Sequence, residues 1–232
     1  MWHPLGAAAG LFRHGDGYAS GMEHENFGDF EFERRFFVSE LPTDLTGAQR
    51  PSVMVQSYLL ASDGYAVRVR AQATNPSRLP TPADGADEVL EMIADDVDFC
   101  GLTAKGPYVG GTRYEAEREL DVSVGLEMVR RGSAKVAKLR YSVWLGEDGW
   151  VIDQFTGANA PLIIAEVERG GPVVDLTIPS FCTHELTEDP RFSNDRLSVN
   201  PYRAWVYRFH EELARSGGTF ARSFGDNRHE SR

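Results

Sequence analysis

Acidic and basic side chains alternate with aromatic ones in the segment FEFERRFFV, residues 30–38. Successive side chains of a β-strand point to opposite faces, so Glu31, Glu33 and Arg35 share one face while the other is mostly apolar. Two carboxylates at this spacing, followed by a fixed cation, are able to hold a divalent metal ion beside an anionic ligand. Taken alone, the segment favours a simpler interpretation, a solvent-exposed strand face, because antiparallel sheets often expose one face to water.

Seven further segments have a strand-like pattern, and turn signals separate them. They are residues 52–60, 65–73, 97–105, 112–120, 134–145, 149–155 and 162–169. The sequences ASDG before Tyr65 and GEDG before Trp150 are typical of hairpin loops. Eight strands at this spacing predict an antiparallel barrel or sandwich.

The period of two places charged side chains on one face of strand after strand. The repeated positions are Arg68 and Arg70; Lys105; Arg113, Glu115, Glu117 and Glu119; Lys138 and Arg140; Asp153; and Glu166 and Glu168. Acidic pairs and basic pairs lie on different strands, whereas a solubilising surface intersperses the two signs. The opposite faces are apolar enough to pack under helices. We therefore expect a closed eight-stranded barrel that turns its charged faces inward.

Such a charged interior requires a charged guest, because unpaired buried charges carry heavy desolvation penalties. A complex of a metal ion with a polyphosphate fits the balance of signs. Carboxylates would hold the cation, and Arg and Lys side chains would hold the phosphate oxygens.

The composition excludes several classes of protein. The chain of 232 residues has a net charge of −11, which repels nucleic acids and anionic membranes, so we expect neither as a partner. No apolar run reaches the length of a membrane span, and the first residues make a poor signal peptide. Cys100 and Cys182 lack the spacing of a zinc site, so free thiols and a cytoplasmic location are expected.

The body of the chain is expected at 29–200, between two extensions. Residues 1–28 lack periodicity and predict a mobile N-terminal extension. Residues 201–216 have Trp205, Phe209 and Leu213 at helical spacing and predict a C-terminal helix. The polar residues 217–232 predict a flexible tail.

Two segments interrupt the strand pattern within the body. Residues 75–95 form an insertion, with a loop rich in Pro and Ser followed by a short amphipathic helix at 86–95. Residues 121–131 fit the period of a strand and the period of a helix, and periodicity does not decide between them.

Short motifs follow one another, from about residue 30 to 200, in the order and spacing of a known family. They are ExExK, here Glu31, Glu33 and Arg35; QGYL at 56–59; RVR at 68–70; LTxK at 102–105; RxExE at 113–117; KxRY at 138–141; WxxDxF at 150–155; AEVE at 165–168; and a closing segment at 179–194. The chain thus resembles the CYTH domain, the triphosphate tunnel metalloenzyme superfamily. It departs from the family at Arg35, where the signature has Lys, and at Ser57, where QGYL has Gly.

The resemblance implies a mainly β (α+β) fold, a closed eight-stranded antiparallel β-barrel tunnel with helices packed outside. It favours a helix at 121–131. It also implies a role for each inward-facing residue. The implied Mg²⁺ or Mn²⁺ ligands are Glu31, Glu33, Glu115, Glu117, Asp153, Glu166 and Glu168; the implied phosphate-binding residues are Arg35, Arg68, Arg70, Lys105, Arg113, Lys138 and Arg140; and Tyr58 with Lys138 resembles a pair that assists hydrolysis.

Inorganic triphosphatases, thiamine triphosphatases and class IV adenylate cyclases all belong to this family. We expect metal-dependent hydrolysis of inorganic triphosphate, with a small-molecule triphosphate as the ligand of a monomer or homodimer. The alternatives are an adenylate cyclase, a thiamine triphosphatase or a nucleoside triphosphatase, and, outside enzymes, a polyphosphate-binding or sensing module. The carboxylates disfavour the sensor, because a protein that binds anions alone gains nothing from so many acids.

Overall fold

The computed structural model describes residues 3–4, 30–43, 45 and 50–230. Its strands are β1 (His3–Pro4), β2 (Phe30–Val38), β3 (Ser52–Ser62), β4 (Tyr65–Ala73), β5 (Phe99–Lys105), β6 (Thr112–Leu120), β7 (Ala134–Leu145), β8 (Asp148–Phe155), β9 (Ile163–Arg169), β10 (Thr177–Ile178), β11 (Cys182–Glu185) and β12 (Arg228–His229). Its α-helices are α1 (Ala86–Ile93), α2 (Val122–Arg131), α3 (Asn194–Val199) and α4 (Val206–Ser216). None of the described helices is long and apolar enough to cross a membrane.

Eight of the strands form a closed barrel. Hydrogen-bonded neighbours follow the order β7, β3, β4, β5, β6, β2, β9 and β8, and β8 pairs again with β7. All of these pairings are antiparallel. The predicted barrel with helices outside is therefore confirmed. Closure satisfies the backbone donors and acceptors that an open sheet would leave at its edges.

The outward faces of the strands form the main apolar core. Val53 and Val55 of β3 and Val69 of β4 are fully buried, and they belong to one cluster with Val89 of α1 and Val129 of α2. Burying each such side chain stabilises the fold by about 1.5–3 kcal/mol. Helices α1 and α2 thus cover the outside of the barrel, and the charged strand faces are left for the interior.

Segment 121–131, which fitted two periods, is helical from Val122. The Asp121 side chain accepts hydrogen bonds from the backbone nitrogens of Ser123 and Val124, and this capping satisfies donors that the first turn leaves free. Leu126 and Val129 point into the core. The helix that the family resemblance favoured is confirmed.

The insertion at 75–95 contains the expected short helix, α1, followed by a 3₁₀ turn at Ala94–Asp96. Glu88 accepts a hydrogen bond from the backbone nitrogen of Gly85 at 2.8 Å, which anchors the start of the helix. Val89, Leu90 and Ile93 are buried.

A second apolar cluster fills one end of the barrel interior. Phe37 of β2, Tyr58 of β3 and Phe155 of β8 lie on inward faces and pack with Leu197 of α3 and Phe209 of α4. This packing closes that end of the barrel. The predicted C-terminal helix at 201–216 differs at its start, because a 3₁₀ turn at Tyr202–Ala204 precedes α4.

The described C-terminal residues pack on the body, where the sequence predicted a flexible tail at 217–232. β12 pairs with β10, and Phe224 is buried. The reason is Arg34, which points outward from β2 and is fully buried. Its guanidinium donates two bonds of 2.9 Å to Glu185 and one of 2.8 Å to Asn227. A buried cation needs such partners, and the C-terminal segment supplies one of them.

The predicted mobile extension at 1–28 lies outside the described residues except for His3 and Pro4, which pair with β7. Cys100 and Cys182 are buried free thiols, as expected.

Candidate active site

The barrel register brings all of the predicted charged site residues to the inner face. Glu33 pairs with Glu168 across β2 and β9, and Arg35 pairs with Glu166. The predicted site residues on the inner face are Glu31, Glu33 and Arg35 on β2; Arg68 and Arg70 on β4; Lys105 on β5; Arg113, Glu115 and Glu117 on β6; Lys138 and Arg140 on β7; Asp153 on β8; and Glu166 and Glu168 on β9. Seven strands therefore contribute charges to one lumen.

Glu31 is held between two cations. Lys105 Nζ lies 3.1 Å and Arg113 Nε 2.8 Å from its carboxylate. Burial raises the pKa of Glu31, but the charges of Lys105 and Arg113 outweigh it and keep this pKa well below the usual value. The same two cations reach further acids, since Lys105 lies 2.6 Å from Glu115 and Arg113 lies 3.3 Å from Glu33.

Other carboxylates in the lumen are not compensated in this way. Burial and the nearby charge of Glu31 raise the pKa of Glu33 to about 7. Burial, followed by the charges of Glu31 and Glu115, raises the pKa of Glu168 to about 8. This part of the lumen therefore has more negative charge than its own cations neutralise. A divalent cation with hard oxygen ligands fits such a donor set.

The carboxylates are not arranged as a ready-made metal cluster. In the part of the chain that the structure describes, no three His, Cys, Asp or Glu side chains form a group able to hold a metal ion. Lys105 and Arg113 occupy the oxygens of Glu31 and pair with its neighbours. Binding of a cation therefore requires these side chains to move.

Asp153 organises the two cations of β7. It is fully buried and accepts hydrogen bonds from Lys138 Nζ and from Arg140 Nε, the latter at 2.7 Å. Burial raises the pKa of Asp153, but the charges of Arg140 and Lys138 outweigh burial and lower this pKa to about 2. Burial lowers the pKa of Lys138 to about 8, although Asp153 opposes that shift. Arg140 also contacts Glu166 at 3.2 Å.

Among the described residues, three guanidinium groups in the lumen have a buried donor that makes no hydrogen bond. The Nε atoms of Arg35, Arg68 and Arg70 are buried and make no hydrogen bond. The terminal nitrogens of Arg35 do have partners, the carbonyl oxygens of Phe192 and Thr187, both at 3.3 Å. A buried N–H without an acceptor is costly, so an anion that accepted from these donors would gain that energy.

Comparisons with known proteins show the family of the chain. No family model matches the chain. The chain is 36% identical over 104 residues to a protein of Acetivibrio thermocellus named inorganic triphosphatase. The match spans 44% of this chain and 67% of that protein. The chain belongs to the CYTH superfamily.

Solved structures in the CYTH superfamily resemble the chain as well. The inorganic triphosphatase NE1496 has a TM-score of 0.46 and 25% identity, over 73% of this chain and 95% of that chain. A putative adenylyl cyclase from Hippeastrum, described as having a dominant triphosphatase activity, has a TM-score of 0.36 and 13% identity, over 60% of this chain and 79% of that one.

Two departures from the CYTH motifs have a structural explanation. Arg35, in place of Lys, spans the two carbonyl groups of Thr187 and Phe192, which a single ammonium group is not shaped to do. Ser57, in place of Gly, points outward and is fully buried against Gly132, where an added Cβ would clash with the serine hydroxyl. The glycine at 132 therefore leaves the room that the serine at 57 occupies.

The strand register separates the backbones of Tyr58 and Lys138. Tyr58 pairs with Ala134, while Lys138 pairs with Met54, so the two residues are separated by four positions along neighbouring strands, about 13 Å. Tyr58 lies in the apolar cluster at the closed end of the CYTH barrel. A catalytic role for this pair stays a prediction.

Sequence reasoning missed three polar residues of the CYTH lumen and its wall. Thr103 is fully buried and donates to Glu117 at 2.9 Å, and Gln56 is buried beside Tyr58. The alternation of strand side chains could have identified Thr103 and Gln56, since each lies on the same inward face as residues that were predicted. Tyr108 lies in a loop and stacks on Arg35 and Arg113. No periodicity marks a loop residue of this kind.

Proposed function

We propose that this CYTH protein hydrolyses inorganic triphosphate to pyrophosphate and phosphate with the help of Mg²⁺ or Mn²⁺. The observation that carries the proposal is the set of three buried guanidinium donors, on Arg35, Arg68 and Arg70, that lack an acceptor. They lie in the same lumen as carboxylates whose pKa values are raised by burial and by one another. A triphosphate and a divalent cation would satisfy both groups at once.

The phosphate chain would lie along the basic residues. Arg35, Arg68 and Arg70 would donate to its oxygens through their free Nε atoms, and Lys105 and Arg140 would add positive charge. Fixed cations stabilise the charge that builds up on the leaving pyrophosphate when water attacks the terminal phosphorus. Because these side chains are buried, their interactions with the anion are stronger than in bulk water.

The cation would be held by Glu31, Glu33, Glu115, Glu166 and Glu168. When bound, the cation would neutralise charge on the phosphate oxygens and help to orient the reacting groups. Glu117 and Asp153 are proposed to contribute indirectly, because Glu117 contacts Arg70 at 3.1 Å and Asp153 holds the cations of β7. Lys138 and Arg113 would then move from their carboxylate partners toward phosphate.

The test is a comparison of substrates. The protein is incubated with tripolyphosphate, ATP and thiamine triphosphate, each with Mg²⁺ or Mn²⁺, and phosphate, pyrophosphate and cyclic AMP are separated. We expect release of phosphate from tripolyphosphate to exceed all other turnover. Cyclic AMP and pyrophosphate from ATP would show a cyclase instead, and binding without turnover in either metal would show a sensor.

A pair of arginine variants separates the lumen from general charge effects. Arg68→Gln removes an inward guanidinium, and we expect it to reduce kcat/KM for tripolyphosphate by about 100-fold, roughly the loss of one charged hydrogen bond in the transition state. Arg118→Gln removes the same charge from an exposed, outward position on β6. Equal effects of the two changes would refute a phosphate site inside the barrel.

A further inference from the structure

The loop between β5 and β6 replaces a missing stretch of barrel wall. β6 pairs with β2 only over Phe30–Phe32, so no strand of the described chain pairs with the next residue of β2 on that side. The backbone nitrogen of Glu33 donates instead to the Gly111 carbonyl at 3.0 Å. The Tyr108 hydroxyl donates to the Glu33 carbonyl at 2.9 Å. The loop is therefore fastened to β2 at the residue from which an inward carboxylate projects.

The Tyr108 ring contacts two of the lumen cations. Its centroid lies 5.5 Å from Arg35 Cζ and 5.7 Å from Arg113 Cζ, and both distances are within the range of cation–π interactions. The other restraints on Arg35 are weak, since its Nε atom makes no hydrogen bond and lies 3.8 Å from Glu33, and its two hydrogen bonds are long, 3.3 Å. Two guanidinium groups also repel one another, and the negative face of one shared ring offsets that repulsion.

The C-terminal segment supports this loop from outside. Phe224 packs against Gly111, where an added Cβ would lie 2.9 Å from the phenylalanine ring. Gly111 also has a φ of +81°, which favours glycine. The Phe224 ring lies 4.7 Å from Arg34 Cζ as well. The packed tail therefore supports, from outside the barrel, the loop that carries Tyr108.

We propose that Tyr108 is a positioning residue that holds the guanidinium group of Arg35 in the orientation required to bind the phosphate chain. This inference rests on the proposed function, because it assigns Arg35 to a phosphate ligand. The hydroxyl anchors the ring to β2, and the ring contacts the Arg35 guanidinium while it leaves the Nε donor without a hydrogen bond. Tyr108 takes no part in the chemical step.

The first test measures tripolyphosphate binding by calorimetry in the presence of EDTA, so that only the cationic side of the site is probed. The variants are Tyr108→Leu, which removes the ring, and Tyr108→Phe, which keeps it. We expect Tyr108→Leu to weaken binding about tenfold and Tyr108→Phe to stay within about twofold of the wild type. Tyr207→Leu is the matched control, because Tyr207 is 85% exposed on α4. Equal affinities of the Leu and Phe variants would overturn the proposal.

A second test keeps the shape of the side chain. Incorporation of pentafluorophenylalanine at position 108 removes the negative face of the ring without a cavity, so it tests the proposal even if Tyr108→Leu does not fold. We expect the affinity for tripolyphosphate to fall below that of Tyr108→Phe. An affinity equal to that of Tyr108→Phe would show that the ring acts by packing alone.

A third measurement does not depend on the substrate. NMR signals of the Nε–H groups of Arg35 and Arg113 are assigned with Arg35→Lys and Arg113→Lys, and their shifts are compared in the wild type and Tyr108→Leu. We expect both signals to lose a ring-current shift in the variant. If the wild type neither binds nor hydrolyses any triphosphate, the proposed function fails, while these signals still decide the role of Tyr108. Unchanged signals would refute that role.

Discussion

Replacing Asp153 by Asn would remove the negative charge that holds the cations of β7. Asp153 is fully buried, and its carboxylate contacts Lys138 as well as Arg140, whose Nε and Nη2 atoms lie at 2.7 and 2.6 Å. After the substitution Lys138 loses its ion-pair partner inside the barrel. Arg140 keeps a contact with Glu166 at 3.2 Å.

The expected loss of stability follows from this geometry. Removing one partner of a buried ion pair costs about 3–5 kcal/mol, because the remaining charge is buried without compensation. Since Arg140 keeps its ion pair with Glu166, we expect a loss at the lower end of this range, about 3 kcal/mol. For a chain of this size that loss corresponds to a decrease in Tm of roughly 6–12 °C.

The loss should depend on pH in a defined direction. Burial lowers the pKa of Lys138 to about 8 even with Asp153 present, and without Asp153 it falls further. A lysine whose folded-state pKa lies below its unfolded-state value binds fewer protons when folded, so stability rises with pH through that range. Because the folded-state pKa of Lys138 is lower in the variant, the stability of the variant begins to rise at a lower pH than that of the wild type. The stability deficit is therefore largest under acidic conditions and shrinks as the pH approaches about 8.

Urea unfolding followed by circular dichroism at about pH 6 and pH 8 measures both effects. The matched control is Asp148→Asn on the same strand, where the carboxylate contacts Arg169 at 2.7 Å in a more exposed position. An ion pair near the surface contributes about 1 kcal/mol or less, so this control should lose little stability at either pH. If the two variants lose equal stability, or if the deficit of Asp153→Asn does not shrink at the higher pH, the reasoning is refuted.

Three further predictions concern packing, phosphate binding and metal binding. Gly132→Ala should destabilise the fold by about 1–3 kcal/mol in urea unfolding, because the added methyl group meets Ser57, and the double variant with Ser57→Gly should recover most of the loss. Arg35→Lys should raise KM for tripolyphosphate about tenfold, because Lys lacks the planar fork that spans two carbonyl groups, and an unchanged KM would contradict this. In EDTA, Tm should fall between about pH 5 and pH 8, because the raised pKa values of Glu33 and Glu168 mean that the folded state binds more protons than the unfolded state. Added Mg²⁺ should raise Tm more at the higher pH, and equal effects at both would count against the metal site.

Most of the barrel was predictable because alternation is a local property. In β2 the period of two places Glu31, Glu33 and Arg35 on one face whatever the neighbouring strands are. The same period in the other strands identified every charged residue that the structure places in the lumen. Local patterns failed where two periods overlapped, at 121–131, and there the cap at Asp121 accompanies the helix in the structure.

The C-terminal tail was unpredictable because its partners lie far away in the sequence. Residues 217–230 have no regular period, but Asn227 bonds to Arg34 and Phe224 packs beside Gly111. The stability of a tail depends on such contacts as well as on its composition. The burial of Arg34 on an otherwise apolar face of β2, which requires such a partner, is visible only in the structure.

The sequence by itself determined which side chains face the lumen and the signs of their charges, because β-strand periodicity and side-chain chemistry are local. Only the tertiary structure decided how those charges pair. Lys105 and Arg113 share Glu31, while the Nε atoms of Arg35, Arg68 and Arg70 remain without an acceptor. Pairing depends on register, distance and burial across different strands, and the apolar closure of one end and the Tyr108 contact depend on loops and helices that no strand period describes.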